Sequence, residues 1–184
     1  MPVLGLVGCA AGGVEALRHR LVVPLMHDGW QVGVTLTPSA ARWLDAEGEL
    51  GELARLTGLP VRSEPRLPGQ DSPHPQVDLY AVVPATSNTV AKVALGLADN
   101  QALTQLCEGL GAGVPIVMFP RVNAAHARHP AWPGHLTTLR RAGVRLIYGD
   151  DVWPLHEPRS APGRDLPWDA IMAAIEAMRP ASYR

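Results

Sequence analysis

Lysine, cysteine and phenylalanine are scarce in this 184-residue sequence: one lysine (Lys92), two cysteines (Cys9 and Cys107) and one phenylalanine (Phe119). Two cysteines cannot build a disulfide framework, and with no signal-like segment at the start they lead us to expect a reducing, cytoplasmic setting. Sixteen basic residues against seventeen acidic ones leave a net charge of −1, so no overall field favours nucleic acid. Apolar runs are strand-sized and interrupted, too short for a membrane span. Glycine and proline together make up about a fifth of the chain, below the roughly 25–30% typical of low-complexity sequence. What is there is an ordinary globular composition, 47% apolar and 18% charged, in a chain the length of one domain.

The apolar residues follow a βα rhythm. Val3–Val7 reads as a strand ending in the small-residue turn Gly8-Cys9-Ala10-Ala11-Gly12-Gly13. A helical pattern runs from Val14 to about His27, Asp28-Gly29 stops it, and Gln31–Leu36 reads as a second strand. Further on, strands are expected at Val77–Val83, Val114–Phe119 and Val144–Tyr148. Helices are expected at Ser87 to about Leu97, Leu103–Leu110, Leu136–Ala142 and Pro167 to about Met178. Alternation of this kind predicts a single doubly wound α/β domain: a Rossmann- or flavodoxin-like, mostly parallel sheet with helices on both faces. Two proline-rich stretches interrupt it. Pro60–Pro75 holds five prolines, and Gly149–Pro167 holds Pro154, Pro158, Pro162 and Pro167; both are expected to be loop.

Three motifs sit where strands end. Gly8–Gly13 joins a strand to a helix with residues small enough for a ligand to approach the backbone, or for tight βα packing. It matches neither the G-x-G-x-x-G nor the Walker pattern. After the second strand, Thr37 and Ser39 offer hydroxyls for a phosphate or for a helix cap. After the third comes Pro84-Ala85-Thr86-Ser87-Asn88-Thr89, continued by Lys92, Gly96 and Asp99-Asn100. It places hydroxyl and amide groups beside the opening N–H groups of a helix. His126, His129 and His135 are separated by Pro130 and Pro133 with no acidic or thiol partner nearby, so no metal site is expected.

The stretch Pro84–Thr89 resembles the Pro-Ala-Ser-Ala-Asn-Thr motif of the flavin-containing cysteine decarboxylase (HFCD) flavoproteins. That family includes phosphopantothenoylcysteine decarboxylases and lantibiotic peptidyl-cysteine decarboxylases. Pro120-Arg121-Val122-Asn123 is similar to the family's Pro-x-Met-Asn substrate loop, and the likeness extends from about Val3 to Ile147. The resemblance implies an FMN cofactor held by Gly8, Cys9, Ala10, Thr37, Ser39, Ala85, Thr86, Ser87, Asn88 and Thr89. It implies Asn123 and His126 at the substrate and His74 with Asn123 in catalysis. The sequence departs from the family at Val122, where decarboxylating members carry Met, and at His126-Ala127, where they carry Met-Trp. His74 lies only ten residues before Pro84, and no cysteine follows Cys107.

By that resemblance the function is oxidative decarboxylation of a cysteine-derived substrate, of the peptidyl C-terminal cysteine type. The thiol would be oxidised to a thioaldehyde, and loss of the neighbouring carboxylate would leave an enethiol. Without a late cysteine the enethiol would not be reduced further. The alternatives are an FMN-binding regulatory subunit without decarboxylase activity and, ranked last, a flavin prenyltransferase. The resemblance also implies a homo-oligomer, trimeric or dodecameric, with a small-molecule or peptide thiol as partner and neither nucleic acid nor membrane. Residues 1–148 would form the flavoprotein domain, 149–166 an irregular excursion and candidate lid, and 167–184 a C-terminal helix packed on the same domain.

Overall fold

The computed structural model describes residues 1–161 and 163–183; Pro162 of the expected excursion and Arg184 of the expected C-terminal segment lie outside them. Five strands form one wholly parallel sheet: β1 (Val3–Gly8), β2 (Gln31–Leu36), β3 (Leu79–Ala85), β4 (Ile116–Pro120) and β5 (Arg145–Leu146). Their order is β2-β1-β3-β4-β5. This is the flavodoxin-like order, with its topological switch point between β1 and β3.

Side-chain alternation along the strands divides the core into two layers. Leu4, Leu6, Ala81, Val83, Val117 and Phe119 face one side of the sheet. They are covered by α1 (Val23–His27) with the helical turns before it, α2 (Pro38–Ala46), α3 (Glu49–Thr57) and α8 (Trp168–Ala177). Val7, Tyr80, Val82, Ile116 and Met118 face the other side. There α4 (Ser87–Leu95), α5 (Gln101–Gly111) and α7 (Trp132–Arg141) cover them, and the short α6 (Ala124–Ala127) precedes α7. Each fully buried leucine of these layers contributes about 1.5–3 kcal/mol. The Tyr80 ring packs into space left by two glycines: a Cβ on Gly5 or Gly109 would lie 2.5 or 2.6 Å from it.

Several boundaries differ from the sequence expectation, each for a local reason. The helix expected at Val14–His27 is a 3-10 turn (Val14–Ala16), a π-helical stretch (Arg18–Val22) and then α1. Pro24 has no N–H to close an α turn onto Arg20, and the wider turn, with the Val23 N–H on the Arg18 carbonyl, takes up the mismatch. Helix α3 was not expected. Leu50, Leu53 and Leu56 recur at three-residue spacing, but Gly51 interrupts the pattern. Gly48 and Gly58, both left-handed, flank the helix. The Pro60–Pro75 stretch is loop, except that Arg62 pairs with Thr35 at the edge of β2. Strand β5 is two residues long rather than five. The excursion contains turns and no helix or strand among its described residues.

Candidate functional site

The carboxyl ends of β1, β2 and β3 meet at the switch point, and three hydrogen bonds pin their corners together. The Thr37 N–H donates to the Gly8 carbonyl (3.0 Å) and the Cys9 N–H to the Pro84 carbonyl (3.1 Å). The Cys9 thiol lies 3.2 Å from the Thr89 hydroxyl. Cys9 is therefore framework: its N–H, carbonyl and side chain all face inward, and burial pushes its thiol pKa up. Gly8 and Ala85 are also wholly within strands, Gly8 because a Cβ there would meet Leu36 at 2.8 Å. Of the first corner it is Ala10 that lines the open cleft. Its N–H has no hydrogen-bond partner among the described residues.

The second and third corners are alike. Thr37 caps α2, its hydroxyl accepting the Ala40 N–H, and Pro38 opens the helix. Thr86 caps α4, its hydroxyl accepting the Thr89 N–H at 3.2 Å and donating to the Thr89 hydroxyl at 3.1 Å. Both readings of Thr37, as cap and as cleft wall, hold at once. The positive ends of two helices thus open on one space. That space is a cleft of about 430 Å³ lined by Ala10, Thr37, Ser39, Thr86, Asn88 and Thr89. The Lys92–Asp99 ion pair and Asn100, the cap of α5, form its rim.

Beyond α4 the remaining predicted residues separate. Asn88 also lines a second cleft of about 320 Å³, where Ser87, absent from the lining of the three-corner cleft, stands with His126, His129, Trp132 and His135. The three histidines that prolines separate in sequence thus share one cleft wall, yet the described residues contain no group of His, Cys, Asp or Glu arranged to hold a metal. Asn123 caps α6, its Oδ1 accepting the His126 N–H at 2.9 Å, but its side chain lines a third cavity, of about 250 Å³, beside β4 and the excursion. The Asn123 side chain therefore meets His126 at its backbone N–H, while the two residues line different spaces.

His74 stands apart from all three. It is buried over Gly33 of β2, and its Nε2 lies 2.7 Å from the Pro60 carbonyl, which makes that nitrogen the donor. Burial, outweighing that hydrogen bond, lowers its pKa, and the nearby Arg62 adds to the effect. It lines a different cavity, with Arg62, Tyr80 and Gln101, and so does not join Asn123 within one copy of the chain. The imidazole that shares Asn123's cavity is His156. Sequence reasoning passed over His156, Arg121 and Arg164, and read Trp153 as a packing or oligomer-contact residue. Arg121 lay inside a quoted motif, but the other three lie in a loop with no periodic signal.

The chain is 31% identical over 142 residues to the coenzyme A biosynthesis bifunctional protein CoaBC of Mycolicibacterium smegmatis, a match covering 74% of this chain and 33% of that protein. It is 39% identical over 70 residues to a cysteine/cysteine sulfinic acid decarboxylase of an unknown prokaryotic organism, covering 38% and 19%. The chain thus spans about a third or less of the length of these relatives. Among solved structures, the FMN-dependent cysteine decarboxylase TvaF from thioviridamide biosynthesis superposes with a TM-score of 0.69 at 20% identity, over 98% of this chain and 99% of that one. The peptidyl-cysteine decarboxylase EpiD gives 0.61 at 20%, over 82% and 88%. At such identities these structures show a shared fold. The profile described as Flavoprotein matches residues 4–179, nearly the whole chain, and with three βα corners converging at the switch point the chain belongs to the flavoprotein family.

Proposed function

We propose that the three-corner cleft binds FMN and that the protein catalyses oxidative decarboxylation of a cysteine-derived thiol, of the peptidyl C-terminal cysteine type. The observation that carries this reading is the convergence of Ala10, Thr37, Ser39, Thr86, Asn88 and Thr89 on one cleft at the β1/β3 switch point. The residues present suit the cofactor. The cleft volume lies in the usual ligand range of about 300–1,000 Å³. The Ala10 N–H, the Thr37 and Ser39 hydroxyls and the α2 terminus are donors suited to a phosphate, and Asn88 offers an amide group to a planar heterocycle, with the Ser87 hydroxyl in the adjoining cleft.

Bound FMN supplies a two-electron acceptor for thiol oxidation, after which the substrate can lose carbon dioxide. The chain's own part is binding, orientation and proton handling. Asn123 uses its Oδ1 to cap α6, which leaves its Nδ2 to donate to a substrate carboxylate. His156 is the imidazole beside it and the candidate acid/base group within one copy; His74 would take that role only across a contact between copies. Exposed Leu95, the last residue of α4, and Leu97 just after it offer contacts for a homo-oligomer, trimeric or dodecameric, which light scattering on the purified protein tests.

The test of the reading is spectral and chemical. The purified protein incubated with FMN should retain bands near about 370 and 450 nm, and a peptide ending in Cys should lose about 46 mass units, carbon dioxide and two hydrogens. No retained flavin removes the reading. Retained flavin with no mass change favours the second reading, an FMN-binding protein without decarboxylase activity. Val122 and the separation of His74 from Asn123 already point toward that outcome.

A further inference from the structure

The cavity that holds Asn123 carries more positive charge than a single carboxylate requires. Arg121 from the end of β4 and Arg159 and Arg164 from the excursion line it together with Trp153. None of these arginines has an ion-pair partner among the described residues. The carboxylate on the wall, Glu157, is already gripped by both terminal nitrogens of Arg128, at 2.5 and 3.0 Å.

Two of the guanidinium groups converge on one indole. Cζ of Arg164 lies 3.9 Å, and Cζ of Arg121 4.6 Å, from the Trp153 ring centroid. Trp153 is itself held, edge-on to Phe119 at 5.5 Å and with its N–H on the Asp165 carbonyl at 3.1 Å. The Nε of Arg121 is fully buried without a hydrogen-bond partner. Burial, with the neighbouring Arg164 charge, lowers the Arg121 pKa. Like charges gathered on an aromatic platform, with only the more distant Glu15 opposing them at Arg121, no ion-pair partner among the described residues and an unsatisfied donor, leave an attractive potential for an oxyanion.

At about 250 Å³ the cavity is below the usual size of a whole-ligand pocket and suits one acidic group. We propose that Arg121, Arg159 and Arg164 form an anion subsite selecting thiol substrates that carry a second acidic group besides the carboxylate that leaves. The proposal rests on Asn123 as holder of the reacting carboxylate. Guanidinium pairing to that carboxylate would stabilise the charged ground state and oppose its loss, so the arginines suit an anion that stays. A carboxylate and a phosphate share the required chemistry, since the guanidinium fork binds either one bidentately.

Isothermal titration of the FMN-saturated protein with inorganic phosphate and with glutarate tests this, because bound FMN removes the three-corner cleft as a competing anion site. At least one probe should bind, and Arg164→Gln and Arg159→Gln should each weaken it about tenfold or more with the bound-flavin spectrum and Tm unchanged. Tighter phosphate assigns a phosphorylated substrate, and tighter glutarate an acidic residue near the cysteine. No binding by either probe, or equal binding in the wild type and both variants, overturns the subsite. If the protein retains no FMN yet binds a probe in an Arg164-dependent way, the subsite stands and the flavin reading falls.

Discussion

In the three-corner cleft, hydroxyls on the wall are also parts of helix caps. Thr37 holds the Ala40 N–H and Thr86 the Thr89 N–H, so the surface a ligand meets is already bonded and oriented. In the cavity beside Asn123, polar groups are held by stacking instead. Arg121 and Arg164 lie over Trp153, with the Nε of Arg121 unsatisfied. Each capped corner of the first region is built from neighbours in sequence, the residue at the strand end bonding into the helix that follows it. The second joins the end of β4 to a loop more than thirty residues later. Local chemistry suffices to orient the hydroxyls of each capped corner, whereas concentrated charge needs a platform brought in from elsewhere in the chain.

The largest expected effect comes from removing that platform. Trp153→Ala should cost about 3–5 kcal/mol in urea denaturation, the range for a buried aromatic truncated in a core, and should abolish anion binding in the arginine cavity. Gly13→Ala comes next. Gly13 has φ of 100°, and an added Cβ would lie 2.5 Å from Leu166 Cδ1, so the turn beside the cleft would be pushed against the excursion. A loss of about 2 kcal/mol is expected; a variant as stable as the wild type would mean that the excursion yields freely.

Thr86→Ala acts on the cradle alone. It should lower stability by about 1 kcal/mol through the lost cap and release FMN on gel filtration. Thr86→Ser should restore both, while phosphate or glutarate binding in the arginine cavity stays unchanged. The smallest effect is expected far from both regions. Arg18 donates to both carboxylate oxygens of Glu49, at 2.7 and 2.8 Å. That bond, more than any other influence, holds the Glu49 carboxyl below its ordinary pKa. Its stabilisation is present above the ordinary carboxylate range and is lost as pH falls through the lowered folded value. Thermal melts from neutral pH to pH 3 should therefore show Glu49→Gln destabilised at neutral pH and converging with the wild type in acid; a gap that persists in acid would mean that packing, not charge, carries the contact.

Much of the architecture was legible because each strand is a short apolar run and each run ends in a turn. The buried faces of β1, β3 and β4 alternate as period-two strands must. The cap residues were legible too, since Thr37 and Thr86 stand directly before helical patterns. What escaped notice lacked a local signature. Helix α3 was obscured by Gly51 within its leucine spacing. Cys9 lies inside a ligand-like turn, yet its bonds to Pro84 and Thr89 turn it inward. His74 lies closer to Pro84 along the chain than the family resemblance would have it, and the fold packs it over Gly33 in a separate cavity.

By itself the sequence determined the βα alternation, the parallel sheet that follows from it, and hydroxyl-bearing residues at two strand ends, because these depend on residues within a few positions of one another. Only the tertiary structure decided that those corners share a single cleft, that His156 and not His74 stands beside Asn123, and that three arginines face one cavity without an ion-pair partner among the described residues. Such pairings join residues far apart in the chain, and their energies come from burial and charge in a folded space that no local pattern encodes.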